Sequence, residues 1–287
     1  MAVLDHKIDF AVVISVTKAN PNGDPLNGNR PRQNYDGFGE ISDVAIKRKI
    51  RNRLQDMGES IFVQSNDRTV DGFESLRERL EGNENIQKLI KSKKINNDEF
   101  AIAACNEWID VRSFGQVFAF KGSGSNSGIS VGVRGPVSIH TATSIDPIDI
   151  TSMQITKSVN SEPGKEKGSD TMGMKHRVDF GVYLFYGSIN TQLAEKTGFT
   201  NDDAEKIKKA LLTLFENDAS SARPEGSLEV NKVIWWEHNS KLGQYSSAKV
   251  HRSLVITRNQ DEARTIDDYT ITIKELDGLK VEILDGL

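Results

Sequence analysis

Ile8-Asp-Phe-Ala-Val-Val-Ile-Ser-Val16, then Asn20-Pro-Asn-Gly-Asp-Pro-Leu-Asn-Gly-Asn-Arg-Pro31, then Ser42-Asp-Val-Ala-Ile-Lys-Arg-Lys-Ile-Arg-Asn-Arg-Leu54 read as strand, loop and helix. In the first, Ile8, Phe10, Val12, Ile14 and Val16 recur with period two, so residues 7–17 form a strand with one apolar face. The second is dense in turn formers. In the third, Ser42 is placed to cap a helix that runs to about Met57.

Working outward, residues 58–111 mix helical patches (Phe73–Leu80, Asn85–Lys94) with polar connections. Asp110–Phe120 reads as extended. Gly122-Ser-Gly-Ser-Asn-Ser-Gly128 is a loop by composition. Ile129–His140 and Thr151–Val159 read as strands, and Asn160–Gly173 as an exposed excursion. Val178–Ile189 alternates well and is a further strand. Thr200–Asn217 is an amphipathic helix with Ala204, Ile207, Leu211, Leu214 and Phe215 on one side. Val230–Glu237, Val250–Thr257 and Tyr269–Ile273 are strands. No repeat and no long linker divides the chain. The order predicts one α+β domain, with helices on one face of an antiparallel sheet, and a ferredoxin-like split β-α-β unit fits it.

Hydrophobic residues make up 37% and charged residues 27% of the 287, enough to bury a core without a metal or disulfide. The single cysteine, Cys105, excludes an internal disulfide and fits a reducing cytoplasm. The apolar run at 10–16 lacks a basic leader and is not a signal peptide. No stretch approaches the roughly 20 apolar residues of a membrane helix. The expectation is a cytoplasmic protein with no membrane partner. The net charge is −4, but residues 259–287 alone hold eight acids and three bases. The rest of the chain therefore sums to about +1, and its bases are clustered. A local basic face still binds phosphates, because fields decay within about 10 Å in physiological salt.

Catalytic signatures are missing. The five histidines are scattered, with no metal-ligand spacing. There is no G-x-S-x-G, and Gly164-Lys165 fails the Walker pattern because position 159 is Val. No cofactor or metal is expected.

Three segments suit an anion. On the helix, five of the seven positions from 47 to 53 are Lys or Arg. Ile46, Ile50, Leu54 and Met57 form its apolar stripe, with Lys47, Arg48 and Arg51 on one flank and Lys49 and Arg53 on the other. A solvated helix face has the same pattern. The excursion from Lys157 to Arg177 carries Lys165, Lys167, Lys175 and His176 with Met172 and Met174, whose soft side chains suit an unstacked base. A plain surface loop is the alternative. Arg112 in Asp110-Val-Arg-Ser-Phe-Gly115 and Arg134 in Val133-Arg-Gly-Pro-Val137 either pair with an internal carboxylate or point at an anion.

The loop and helix at 20–52, Asp110–Gly115, Val133–Val137, Thr171-Met-Gly-Met-Lys-His176 and Leu193-Ala-Glu-Lys-Thr-Gly-Phe199 occur in an order that resembles one family. It is the backbone subunit of the type I CRISPR surveillance complex (Cascade), closest to subtype I-C. The resemblance implies an RNA-recognition-motif-like palm (1–57, 112–140 and 178–287), helical fingers (58–111) and a hairpin thumb (141–177). It implies copies stacked head to tail along a guide RNA, beside other Cascade subunits, with bases displayed to target DNA. It places guide-RNA contacts at Asn20, Asn22 and Arg32 in the loop, and at Lys47, Arg48, Lys49 and Arg51 on the helix. Arg112, Arg134, Lys157, Met172, Met174, Lys175 and His176 complete the set. The aromatic signature of ordinary RNA-recognition motifs is only partly echoed by Phe180-Gly-Val-Tyr-Leu-Phe185, so base stacking on the sheet face is not expected.

Two rivals remain. Related filament subunits in type III complexes cut RNA with a loop aspartate, for which Asp24 or Asp36 is the candidate. An isolated Asp in a Pro/Gly turn is more often an Asx-turn residue. Alternatively the chain is a protein-only scaffold whose basic helix meets acidic partners.

Overall fold

The computed structural model describes residues 2–90, 96–121, 128–157 and 172–287. Its centre is β1 (Ile8–Ala19), in which every residue from Ile8 to Val16 is buried. Phe10, Val12, Ile14 and Val16 face one core, whereas Ala11 and Val13 face another. Both faces of this strand are covered, which is why its apolar run is nearly continuous rather than strictly alternating.

After β1, the loop makes a small hairpin of β2 (Gly23–Asp24) and β3 (Arg30–Pro31) and continues into β4 (Phe38–Ile41). α1 (Asp43–Asp56) begins where Ser42 Oγ accepts from Ala45 N at 3.2 Å, and it buries Ile46, Ile50 and Leu54 as expected. Next come α2 (Leu76–Gly82), α3 (Glu84–Ile90), α4 (Asn97–Glu107) and α5 (Ile109–Phe114). Strands β5 (Gly115–Phe120), β6 (Ile129–Arg134), β7 (Val137–Ile139), β8 (Ala142–Pro147), β9 (Ile150–Thr156) and β10 (Met172–Ile189) follow. The chain closes with α6 (Thr191–Thr197), α7 (Asn201–Leu212), β11 (Leu228–Glu237), α8 (Ser247–His251), β12 (Leu254–Arg258), β13 (Tyr269–Ile273) and β14 (Lys280–Asp285).

The main sheet runs β14-β11-β1-β10-β8-β4, with β7 and β9 also paired to β10. β1 lies antiparallel to β10 (Ile8↔Ile189 to Ala19↔Val178) and to β11 (Ile8↔Glu237 to Val16↔Leu228). In chain order β1, α1, β7–β8, β10, α7 and β11 give spatial order β11-β1-β10-β7/β8. The helices α1 and α7 share the core on one face of that sheet. A second core of Phe62, Phe100, Trp108 and Phe118 joins α2–α5 to the β5–β6 ribbon, with Phe62 centred 4.6 Å from Trp108 and 5.2 Å from Phe118. A third core lies on the other face of the sheet, where α8 and the β12–β13 ribbon cover Ala11, Val13, Ile234 and Trp236. No helix among the described residues is long and apolar enough to cross a membrane.

Several expectations are corrected. Asp110–Phe120 is not all extended: Ile109–Phe114 is helical, and Gly115, at φ 80°, turns the chain into β5. β5 and β6 pack in the second core with the helices, not in the main sheet, although 112–140 was expected in the palm. β8, expected in the thumb, pairs with β4 and β10 inside the main sheet, so the protruding hairpin is β9 with the first part of β10. Val250–Thr257 begins as helix, since Ser246 Oγ caps α8. The helix expected to reach Asn217 stops at Leu212, and turns follow to Asn217, which adopts φ 56°. Helix α4 and strand β14 were not anticipated. Parts of three expected features lie outside the described residues: the end of Asn85–Lys94, the Gly/Ser loop through 127, and the excursion at 158–171.

Candidate nucleic-acid interface

The loop after β1 is fixed by its own side chains. Asn20 Nδ2 donates to the Asn29 carbonyl at 2.7 Å, and Asn22 Oδ1 accepts from Ser42 N at 2.9 Å, tying the loop to the start of α1. Asp24 caps the 3-10 turn 25–27 by accepting from Leu26 N at 3.2 Å, and Arg32 lies 3.5 Å from it. Asp36 N donates to Asn34 Oδ1 at 3.0 Å. Among the described residues no three His, Cys, Asp or Glu side chains gather to hold a metal. Asp24 thus has the Asx-turn role that its Pro/Gly setting suggests.

The basic residues of α1 are mostly engaged within the protein. Lys47 pairs with Asp43 at 3.0 Å, and Arg48 donates to the Val63 carbonyl at 2.5 Å. Lys49 is buried against Asp218, its ammonium 5.3 Å from the centre of the Phe215 ring. Arg51 Nε donates to Asp110 Oδ2 at 3.0 Å and its guanidinium lies over Phe114. Arg53 donates to Thr213 Oγ1 at 2.9 Å. Arg112 grips Asp203 with two bonds of 2.9 and 2.8 Å. The two basic flanks are where periodicity put them. Lys49, Arg51 and Arg112 nevertheless spend their charge on internal carboxylates, which corrects the expectation that they face phosphates.

Burial pushes the Lys49 ammonium down to about 8, although Asp218 works the other way. A Lys whose folded pKa lies below its unfolded value is carried as a cation at a cost, so stability should rise with pH between about 8 and 10.5. Lys49→Met is expected to abolish that rise. It should change stability at pH 7 by less than about 1 kcal/mol, because Arg223 still pairs with Asp218 at 3.1 Å. Urea denaturation of both proteins at pH 7 and pH 9.5 checks this, and a large loss at pH 7 would contradict it.

Two adjoining clefts remain open beside these pairs. The first is a groove between α1, the turn at 65–68 and the turn at 217–223, where Arg48, Arg68 and Arg223 line a polar floor with Asn52 and Asp218. Asn52 Oδ1 and Ser65 Oγ are buried there with no hydrogen-bond partner. The second is walled by Asn20, Asn29 and Ala222 on one side and by Ile155, Met174, Lys175 and His176 of the β9–β10 hairpin on the other. Asn20 is buried and its Oδ1 has no partner. Arg30 Nη1 donates to Ser152 Oγ at 2.9 Å, which also lies 2.8 Å from His176 Nδ1, so the loop and the hairpin are stitched together. Pro21, Asn22, Gly23, Ala219, Ser220 and Arg223 line the first cleft and the adjoining Asn20, Ser221 and Ala222 the second, which makes the clefts neighbours.

The structure therefore brings Asn20, Asn22, Arg48, Met174, Lys175 and His176 to one side of the protein. Met172 is exposed further along the hairpin, its sulfur 3.0 Å from Gln154 Nε2, and Lys157 follows the end of β9. Arg134 lies apart, exposed on β6. Arg68 and Arg223 carry no signal in the sequence, because each is an isolated base in a polar stretch and only the fold brings it to the groove.

The molecule is thus a mixed α+β protein on a large antiparallel sheet, and its fold is similar to that of a chain in a solved "CRISPR RNA-guided surveillance complex, pre-nicking". That likeness has a TM-score of 0.50 at 14% identity, covering 80% of this chain and 78% of that one. The family described as CRISPR-associated protein Cas7 matches residues 6–274, and the chain belongs to it. A relative from Haloferax volcanii (strain DS2), "CRISPR-associated protein Cas7", is 24% identical over 286 residues, covering 94% of this chain and 82% of the relative.

Proposed function

We propose that this chain is a non-catalytic backbone subunit of a type I Cascade surveillance complex, closest to subtype I-C. Several copies stack head to tail along a guide RNA in the cytoplasm, beside other Cascade subunits, and leave its bases free for target DNA. The observation that carries the reading is the pair of adjoining clefts, with cations along α1 and the 217–223 turn at one end and the methionine-bearing hairpin at the other. Cationic walls hold a backbone without reading sequence, which suits a protein that delegates recognition to base pairing. The order β11-β1-β10-β7/β8, with α1 and α7 on one face, supports an RNA-recognition-motif-like palm. Its opposite face is occupied by α8 and β12–β13, which removes the usual stacking platform.

The test replaces Arg48, Arg223 and Lys175, which line the two clefts, together by Ala. Guide affinity should fall similarly for unrelated sequences, and the slope of log affinity against log salt should flatten by about 2. An unchanged slope in a folded triple variant removes the clefts from the RNA path. A labelled complementary RNA should also stay intact when incubated with the complex and magnesium. Regular cutting that vanishes in Asp24→Ala or Asp36→Ala would overturn the non-catalytic assignment.

A further inference from the structure

Cations account for only part of the two clefts. Asn20, on the wall of the second, is 4% exposed. Its backbone N donates to the Ala222 carbonyl at 2.9 Å, and its Nδ2 donates to the Asn29 carbonyl at 2.7 Å. Both partners belong to the same cleft wall. What is left over is an acceptor: Asn20 Oδ1 is buried with no partner among the described residues. The amide cannot turn over, because a flip would set Oδ1 against the Asn29 carbonyl. In the adjoining groove Asn52, on α1, presents a second buried Oδ1 without a partner.

A buried acceptor that finds no donor is costly, and native proteins keep few of them. Other unpaired atoms, such as the Trp235 indole nitrogen and the Tyr183 hydroxyl, sit on fully buried side chains of the main core. The two asparagines instead line open clefts, beside Lys175 and His176 in one and Arg48 and Arg223 in the other. Those bases suit phosphates. A phosphodiester only accepts hydrogen bonds, so it cannot satisfy an amide oxygen. The backbone of a nucleic acid has one donor, the ribose 2′-hydroxyl, and DNA lacks it. A base N–H also donates, but contact with it would tie binding to sequence, which a subunit that leaves its bases to pairing avoids.

We infer that Asn20 and Asn52 accept hydrogen bonds from ribose 2′-hydroxyls, so that the clefts select RNA over DNA. The inference rests on the reading that a guide strand follows these clefts, and it adds how they recognise the sugar. A ribonucleotide carries a phosphate for the cations and a hydroxyl for the acceptors on one backbone. A target DNA strand offers the phosphates alone and leaves both amide oxygens unpaired. The guide is thereby held in its place in preference to the strand that pairs with it.

The test measures the affinity of the full chain, by fluorescence anisotropy, for three strands of one sequence: RNA, DNA, and RNA with 2′-fluorine in place of every 2′-hydroxyl. Fluorine keeps the sugar pucker of RNA but has no hydrogen to donate. RNA is expected to bind about tenfold more tightly than either of the others. Asn20→Ala and Asn52→Ala should each narrow the ratio of RNA to fluoro-RNA affinity, and the double variant should narrow it further. The wild-type comparison needs no variant to fold. Fluoro-RNA that binds wild type as tightly as RNA overturns the inference, since solvent would then fill the acceptors and shape alone would separate RNA from DNA. A ratio that neither variant narrows also overturns it. So does a ratio that changes when the sequence is scrambled, which would assign the acceptors to bases. If wild type binds all three strands equally, the backbone reading stands and this inference falls. If it binds none, the RNA reading fails and takes the inference with it.

Discussion

Asp110→Ala is expected to lower the free energy of unfolding by about 3–5 kcal/mol, the range for breaking a buried, hydrogen-bonded ion pair. The Asp110 carboxylate is buried on α5. Its Oδ1 accepts from Phe62 N at 2.8 Å, and its Oδ2 accepts from Val63 N at 3.1 Å and from Arg51 Nε at 3.0 Å. One side chain thus connects α1, the segment that supplies Phe62 to the second core, and α5. Truncation leaves two backbone donors and a guanidinium without their acceptor inside the protein. Arg51→Met should cost less than Asp110→Ala, since the carboxylate keeps its two backbone donors. Urea denaturation gives the free energies, and hydrogen exchange should show the second core opening before the main sheet. A loss under about 1 kcal/mol for Asp110→Ala would mean that water replaces the network and that the two cores are joined by other contacts.

Asp9→Ala should cost a similar amount, about 3–5 kcal/mol, and its cost should depend on pH. Asp9 is wholly buried, with His238 Nε2 at 2.9 Å and Lys7 Nζ at 3.0 Å from Oδ2. Burial pushes its pKa up, but hydrogen bonds from His238, Ser247 and Lys7 outweigh burial and hold it below the usual carboxylate value. A depressed folded pKa contributes stability that is fully present above the unfolded value, about 3.9, and is lost as pH falls through the folded one. Asp203, held low against burial by Arg112, acts in the same sense. Wild type should therefore lose stability below about pH 4, and the gap between wild type and Asp9→Ala should shrink there. Denaturation midpoints at pH 7 and pH 3 measure both gaps, and a constant gap would contradict the network. His251, stacked on Tyr186 at 4.5 Å, lies 3.7 Å from Asp9 Oδ1. Loss of Asp9 should for this reason loosen α8 first.

Elements whose signals are local were legible in the sequence. Ser42 and the Ile46, Ile50, Leu54 stripe identify α1 from within fourteen residues, and β1, β10, β11 and β13 carry plain strand patterns. Ile109–Phe114 was misread because Ile109, Val111 and Ser113 satisfy a strand period while belonging to a single helical turn and a half. β14 was missed because its acids obscure Val281 and Ile283, and its identity depends on pairing with β11. The site divided in the same way. The position of each cation on α1 follows from 3.6-residue geometry. Whether that cation is available depends on carboxylates 59 residues away for Arg51 and 169 for Lys49. For Arg112 the carboxylate is 91 residues distant. The neighbouring of residues 20–23 with 219–223, which joins the two clefts, has no local signal at all.

The pairing of β1 carries a cost in time. β1 finds its two partners only when residues 172–189 and 228–237, far behind it in the chain, have been made. At synthesis rates of about 5–20 residues per second, Phe10-Ala-Val-Val-Ile stays unpaired for roughly 10–40 s. During that interval it is a sticky segment that must be shielded by the growing chain or by a chaperone. High sequence separation at the centre of the sheet also predicts slow folding. Yield of this protein in a cell is then governed by how well its first strand is kept waiting.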